Sequence, residues 1–482
     1  MKARLLFCVV AGVTACASVV KAVDPVAGEP VVEALTTKGV YDGFLYGDRA
    51  FDGAETPALR GTLTVKVTDV ERGKLTVHAV LPDGPLNFNG KAWTEQDTNG
   101  AKRVVLSGKG RNKALLTLSV DESRIWGSLE GGTLEEPLLI DGARNVYAGT
   151  ASSNAPQAIA AIEAIKGYYT VALPVAGARS TGQADAAPQG IGYLTLTVGS
   201  RGSAKIAGKL ADGTSVSLSS KVICFAQHAA VQEAGAEGAA ASNETFAVCV
   251  PVFKSLRKKG WFGGLLWLRA GEATLVQTDR DLGWYLRWEY AGRKSNGKSK
   301  NVKNGADGFE MMLDACGGYY SSLDAIASHY LFSAGAPVGV TYTSGASTGE
   351  FVAEAIPVAL DVTAASGGLS IPAGVRPTLV DGAYDYSGTN AALAKISGSA
   401  RTGLFKGAFN VYFDYTRKGK AAHYQSRVQY AGVLVPVRAE AFAELSVGMG
   451  AYLIRDNTPA FRSYNLKRSF PVVLETPVAP TE

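Results

Sequence analysis

Gly345-Ala-Ser347-Thr-Gly349 matches the Gly-x-Ser-x-Gly pattern, in which a serine on a tight strand-to-helix turn attacks an acyl carbon. That chemistry needs an α/β sheet, a helix directly after the serine, and histidine and acid partners. The surrounding sequence is strand-and-turn, so a plain Gly/Ser/Thr loop is expected. Ser255-Leu-Arg-Lys258 matches Ser-x-x-Lys without any companion motif, and FKSLRKKGWFGG reads as a hairpin turn between two strands. His78, His228, His329 and His423 lie in different segments with no metal-ligand spacing, and no Cys-x-x-Cys occurs. No acidic loop has the spacing of a calcium site. Asp83, Asp212 and Glu289 read as turn or surface residues. The expectation is no catalytic residue, no metal and no cofactor.

Aromatic and cationic side chains offer binding rather than reaction. Trp261, Trp267, Trp284 and Trp288 crowd one segment, and flat indoles can stack on sugar rings. In LGWYLRWEY (282–290) Trp284 and Trp288 share a face with Leu286, while Tyr285, Arg287 and Glu289 share the other; the apolar face reads as core. Trp261, beside Lys258, Lys259 and Gly260 at a turn, is the indole expected to be exposed. Trp261, Arg257 and Lys258 are therefore the candidate ligand-binding residues, with glycans as the ligand class. The basic runs at 257–259 and 293–303 read as solvated loops. They lack the aromatic interleaving of nucleic-acid binders, and a formal charge of +5 over 482 residues creates no field that would steer polyanions.

Much of that charge sits in MKARLLFCVVAGVTACASVVKAVDP. Lys2 and Arg4 precede an apolar run and Val20-Lys21-Ala22 suits signal peptidase, so residues 1–22 read as a secretory signal and Val23 as the mature N-terminus. Val13-Thr14-Ala15-Cys16 also fits a lipobox, and a lipid on Cys16 would hold the protein at a membrane. Export, to the periplasm, cell surface or medium, makes disulfides possible. Cys224 and Cys249 lie on consecutive expected strands, where a cross-strand bridge is feasible; two small core residues are the alternative. Cys316 has no evident partner.

The elements that must position these residues are strands. GTLTVKVTDVERGKLTVHAVLPDGPLNFNG (61–90) and GYLTLTVGSRGSAKIAGKLADGTSVSLSS (192–220) follow one plan: an alternating run, a short link, a second run, Asp-Gly, and a third run. Segments beginning at Gly39, Gly167 and Gly317 look like equivalent opening strands, which gives about three copies of one β-rich unit. Short strands, frequent turns and internal glycines imply an all-β protein of tandem antiparallel barrels or sandwiches. The expected domains are 23–151, 152–291 and 309–482, with 292–308 as a basic linker or loop. A helix over 155–166 is expected to plug a barrel end, and a shorter one over 321–331.

IDGARNVYAG (140–149), KIAGKLADGTSVSLSS (205–220) and SARTGLFKGAFNVYFDY with RVQYAGVLVP (399–436) together resemble β-rich repeat modules of secreted and surface proteins from the Verrucomicrobia, Kiritimatiellae and Lentisphaerae group. The resemblance covers the second and third units well and the first loosely. It implies an exported protein with an adhesive or surface role, and it transfers no catalytic residue. The leading expectation is a non-enzymatic, adhesive or structural surface protein, whose partners are surface glycans or surface proteins. A glycan binder using loops of the second and third units is the alternative, and a secreted hydrolase the third reading.

Overall fold

Strands form where the two-residue period is strongest. In KLTVHAVL, strand Lys74–Leu81, Leu75, Val77, Ala79 and Leu81 are buried while Lys74, Thr76 and His78 are exposed. GYLTLTV, strand Gly192–Val198, likewise buries Leu194, Leu196 and Val198. The computed structural model describes residues 37–96, 101–108, 113–148, 155–180, 187–227, 245–256, 260–270, 275–290, 308–321, 329–352, 360–365, 368–436, 448–456 and 467–476. The expected signal, Cys16, His228, Arg257 and Lys258 lie outside these residues. The described residues form an all-β chain of antiparallel sheets with one α-helix.

Three large sheets follow in chain order, each with its own apolar core. In the first, strand Gly39–Phe51 lies between Ala54–Asp69 and Leu138–Arg144. In the second, Gly167–Leu173 lies between Gly192–Val198 and Cys316–Tyr319. In the third, His329–Ala334 lies between Leu360–Ala365 and Lys467–Glu475. The opening strand of each sheet thus pairs with the closing one. The two sheet margins also meet: Gly84–Lys91 beside Lys102–Ser107, Ser215–Lys221 beside Thr245–Ser255, and Gly368–Ser370 beside Lys395–Gly398. In the second sheet Ser220 Oγ donates to the Pro251 carbonyl at 2.6 Å and Lys254 Nζ to that of Ser217 at 3.1 Å across this margin. The curled sheets are barrel-like, which leaves little unpaired strand edge.

The helix, Pro156–Ala164, caps one end of the second barrel. Its Ala158 and Ile162, with Ile165 just beyond, enter the core that holds Leu194, Leu196 and Trp288. Proline within its first turn needs no hydrogen-bond partner, which suits a helix start. The Asp212 turn also forms as its sequence implies. The Asp212 carboxylate accepts from Thr214 N and Thr214 Oγ1, both at 2.7 Å.

Five expectations need correction. Strands Phe309–Leu313 and Cys316–Tyr319 belong to the second sheet, so that unit does not end at 291 and Gly317 opens nothing. Leu286–Tyr290 pairs antiparallel with Phe309–Leu313, so the basic segment between them connects neighbouring strands of one sheet rather than two domains. The likeness of the Gly167 and Gly317 segments is that of two hydrogen-bonded neighbours. The shorter helix falls mostly outside the described residues, and its last part, His329 to Leu331, is strand. Finally, Cys224 and Cys249 are free thiols. The register sets Cys224 opposite Val248 and Cys249 opposite Ile223, so the two thiols sit on adjacent rungs and opposite faces. Burial pushes the Cys224 and Cys316 thiols up to about 12 and Cys249 well above its ordinary value, which leaves all three unreactive.

Candidate ligand-binding cleft

Each sequence candidate has a definite place. Ser347 stands on a small hairpin, Tyr342–Ser344 against Ser347–Phe351, with Ser344 opposite Ser347 and Gly345 in the turn at φ +64°. A hairpin carries no helix after the serine, so the nucleophile-elbow geometry is absent. Ser255 Oγ donates to the Pro82 carbonyl at 3.0 Å and so ties the second barrel to the first. His78 is exposed and its Nδ1 lies 2.8 Å from Asn87 Oδ1. His329 lies 4.0 Å from Asp361.

Trp261 is not exposed. It is 2% accessible, stacked on Phe253, under the guanidinium of Arg60, with Nε1 donating to Glu289 Oε2 at 3.1 Å. The neighbouring glycines suggest a turn, yet Trp261 is the second residue of strand Gly260–Arg269, whose outer face the first barrel covers. The same contact overturns Glu289 as a simple surface residue. The expected polar face of 282–290 packs on the first barrel, where Arg287 is fully buried against Glu310 at 2.7 Å. Trp284 and Trp288 are buried as expected, but in different clusters: Trp288 in the second core and Trp284 between the barrels.

The residues that do gather around an opening come from the first barrel. Three adjacent strands align their outward positions there. Phe44 pairs with Asp141 and Asp141 with Trp126, while Tyr46 pairs with Leu139 and Leu139 with Ser128. The second barrel covers Phe44 and stops at Tyr46, whose ring lies 5.2 Å from that of Trp284. Beyond that rim an open cleft of about 400 Å³ is lined by Tyr46, Asp121, Arg124, Trp126, Leu139 and Asp141, among others. Trp126 and Tyr46 are half-buried and Leu139 is 45% exposed, so the walls are apolar and accessible.

One charged pair organises the polar side. Arg124 grips Asp141 with both prongs, Nε to Oδ1 at 3.0 Å and Nη2 to Oδ2 at 2.8 Å. Asp141 Oδ1 also accepts from Gly142 N at 2.8 Å. Burial raises the Asp141 carboxyl above its ordinary value, against the opposing pull of Arg124, while its hydrogen bond to Asp141 raises the Arg124 guanidinium. Asp121 Oδ1 accepts from Ser123 N and Arg124 N and so fixes the turn from which Arg124 projects. Gly127 lets this strand lie close to its neighbour, since a Cβ there would fall 2.0 Å from the Thr117 carbonyl. A planar ligand edge with paired hydroxyls fits such a site, and no group in it is set up as nucleophile with a base.

Sequence reasoning missed this cleft although RIWGSLE (124–130) contains the signal. Ile125 and Leu129 face the core, so Trp126 must face outward beside Arg124 and Ser128. No family model matches the chain, and no curated protein is significantly similar to it. No helix among the described residues is long and apolar enough to cross a membrane.

Proposed function

We propose that this chain is a non-enzymatic exported protein that acts at the cell surface as an adhesive module and holds carbohydrate in the cleft of its first barrel. The observation that supports this reading is the accessible indole of Trp126 beside the Arg124–Asp141 pair. A pyranose has an apolar face that stacks on an indole and vicinal hydroxyls that match a guanidinium and a carboxylate. On this reading the ligand contact lies in the first barrel rather than in loops of the second and third. Resemblance to secreted surface modules and the signal-like segment 1–22 support export.

A glycan array followed by titration calorimetry tests the binding. The expected result is a carbohydrate ligand whose affinity falls at least about tenfold in Trp126→Ala, the loss of one stacking contact and its ordering of the sugar. No glycan bound, together with hydrolysis of any sugar or ester on the same panel, would reverse the reading. Mass spectrometry of the exported protein should show Val23 first; a protein still carrying Met1 would remove the export claim.

A further inference from the structure

His423 has no ligand-like partner by spacing, but the third barrel builds one around it. The long hairpin Leu404–Arg417 and Lys420–Leu434 pairs Asp414 directly with His423. On its other side Asp414 pairs with Glu350 of strand Ser347–Phe351. Directly opposite residues in antiparallel strands point to the same face, with Cβ atoms about 4.5–5.5 Å apart. Glu350, Asp414 and His423 therefore make one rung across three strands. That rung lies on the outer face, because the flanking Phe413 points into the core.

A crossing segment brings a phenol to the Asp414–His423 pair. After the small hairpin Thr378–Val380 and Ala383–Asp385, Tyr386 brings its hydroxyl to 2.5 Å from Asp414 Oδ1 and 2.8 Å from His423 Nδ1. His423 Nδ1 is itself 2.9 Å from the same Asp414 oxygen. Three donor atoms thus form a closed triangle with edges of 2.5, 2.8 and 2.9 Å. Protons fill only part of it. The Tyr386 hydroxyl supplies one proton and the imidazole at most one more at Nδ1, according to its tautomer, so three edges share no more than two. Asn390 holds the segment in place, through Nδ2 to the Pro372 and Ala394 carbonyls at 2.9 and 3.0 Å and Oδ1 from Ala394 N at 2.7 Å. The Tyr384 ring covers the imidazole at 4.4 Å and Tyr412 flanks it at 4.8 Å.

We propose that Tyr386, Asp414 and His423 bind a first-row transition-metal ion. Phenolate, carboxylate and imidazole are the donors that zinc, iron and copper take. An ion about 2.1 Å from each donor would replace these hydrogen bonds and spread the three atoms to roughly 3.0–3.4 Å apart, a shift of about half an ångström. The surrounding rings restrict water on one side, and Asp414 is 41% exposed on the other, which leaves a path for entry. Among the described residues no three of His, Cys, Asp and Glu converge this way, so the phenol is what completes the set. Coordination as phenolate releases the Tyr386 proton to solvent.

Zinc(II) titrated into the full chain should bind once, release protons and raise the melting temperature. Tyr386→Phe, which removes only the hydroxyl, should weaken zinc at least tenfold and leave the zinc-free melting temperature within a few degrees. His423→Gln should act similarly, and His329→Ala not at all. Iron(III) supplied as a chelate should give a visible tyrosinate charge-transfer band that disappears in Tyr386→Phe. Failure of zinc to bind, or zinc binding unchanged in Tyr386→Phe, overturns the proposal, as does loss of binding in His329→Ala alone.

Discussion

The two junctions between consecutive barrels are built from different materials. Between the first and second, Phe44, Phe253, Trp261 and Trp284 interlock, and four arginines surround two glutamates at one margin. Glu310 takes Arg287 at 2.7 Å, Arg49 at 3.3 Å and also Arg179; Glu289 takes Arg49 at 2.8 Å. Between the second and third, the contact is Ala172, Cys316, Val433, Val435 and Met449. Backbone groups meet across it, with Gln189 N donating to the Ser469 carbonyl at 3.1 Å and Ile191 N to that of Gly450 at 3.3 Å. Tyr168 and Tyr320 add hydroxyl bonds to the Thr402 and Ala400 carbonyls at 2.9 and 2.6 Å. Small side chains let main chains approach; large and charged ones hold them apart and demand matched partners. The first junction should therefore be the more fragile to single changes, and it borders the cleft at Tyr46, whose ring meets Trp284.

Glu310→Ala is the sharpest way to test that contrast. It strands Arg287, whose side chain is 1% exposed, beside Arg179 and Arg49. Removing one partner of a buried pair costs about 3–5 kcal/mol, read as a shift in urea midpoint. The double variant Arg287→Met with Glu310→Leu should lose less than Glu310→Ala alone, because no buried charge is left over. Equal losses would mean the charges matter only through their packing. At the second junction Met449→Ala should cost about 2–3 kcal/mol through the cavity it leaves, and no pairing partner will rescue or worsen it.

Ligand binding separates the junctions more finely. Tyr46 leans on Trp284, so Trp284→Phe, which keeps an aromatic but withdraws part of the support, should weaken carbohydrate several-fold. Met449→Ala should leave the affinity unchanged while lowering stability. Equal effects of the two on calorimetric affinity would show that the cleft does not depend on the first junction. Trp126→Ala completes the set, with affinity lost and a stability cost of about 1 kcal/mol, as for a half-buried side chain whose loss opens no core cavity.

How far such contrasts are readable from sequence depends on the kind of information that alternation holds. A two-residue period says which residues share a face, and for Lys74–Leu81 and Gly192–Val198 one face meets the core and the other meets water. It does not say what covers the second face. In LGWYLRWEY the polar set Arg287 and Glu289 is covered by another barrel, and Trp261 is buried by the same contact. Trp126 is the reverse case: its exposure follows from its own strand, yet the crowded tryptophans elsewhere drew the reading away. Asp414 opposite His423 needed only the hairpin register, whereas the arrival of Tyr386 depends on a crossing segment that no local pattern announces. The Gly317 strand shows the same limit for topology, since opening and closing strands of one sheet look alike.

Acidity provides the smallest test, and its sign differs for fold and ligand. Burial makes the folded chain hold the Asp141 proton more tightly than the unfolded chain does. By linkage this group supports the fold most at low pH, and that support fades as pH rises through the native value, an effect Arg124 partly offsets. Ligand binding needs the opposite state, because only the carboxylate pairs with Arg124 and presents two acceptors. Affinity for carbohydrate should therefore fall as pH is lowered, beginning above the range where a free aspartate titrates. Calorimetry at neutral pH and in mild acid should show a decline of a few-fold in the wild type and a flat profile in Asp141→Asn. A decline that persists in Asp141→Asn would place the titrating group elsewhere and detach the pair from ligand recognition.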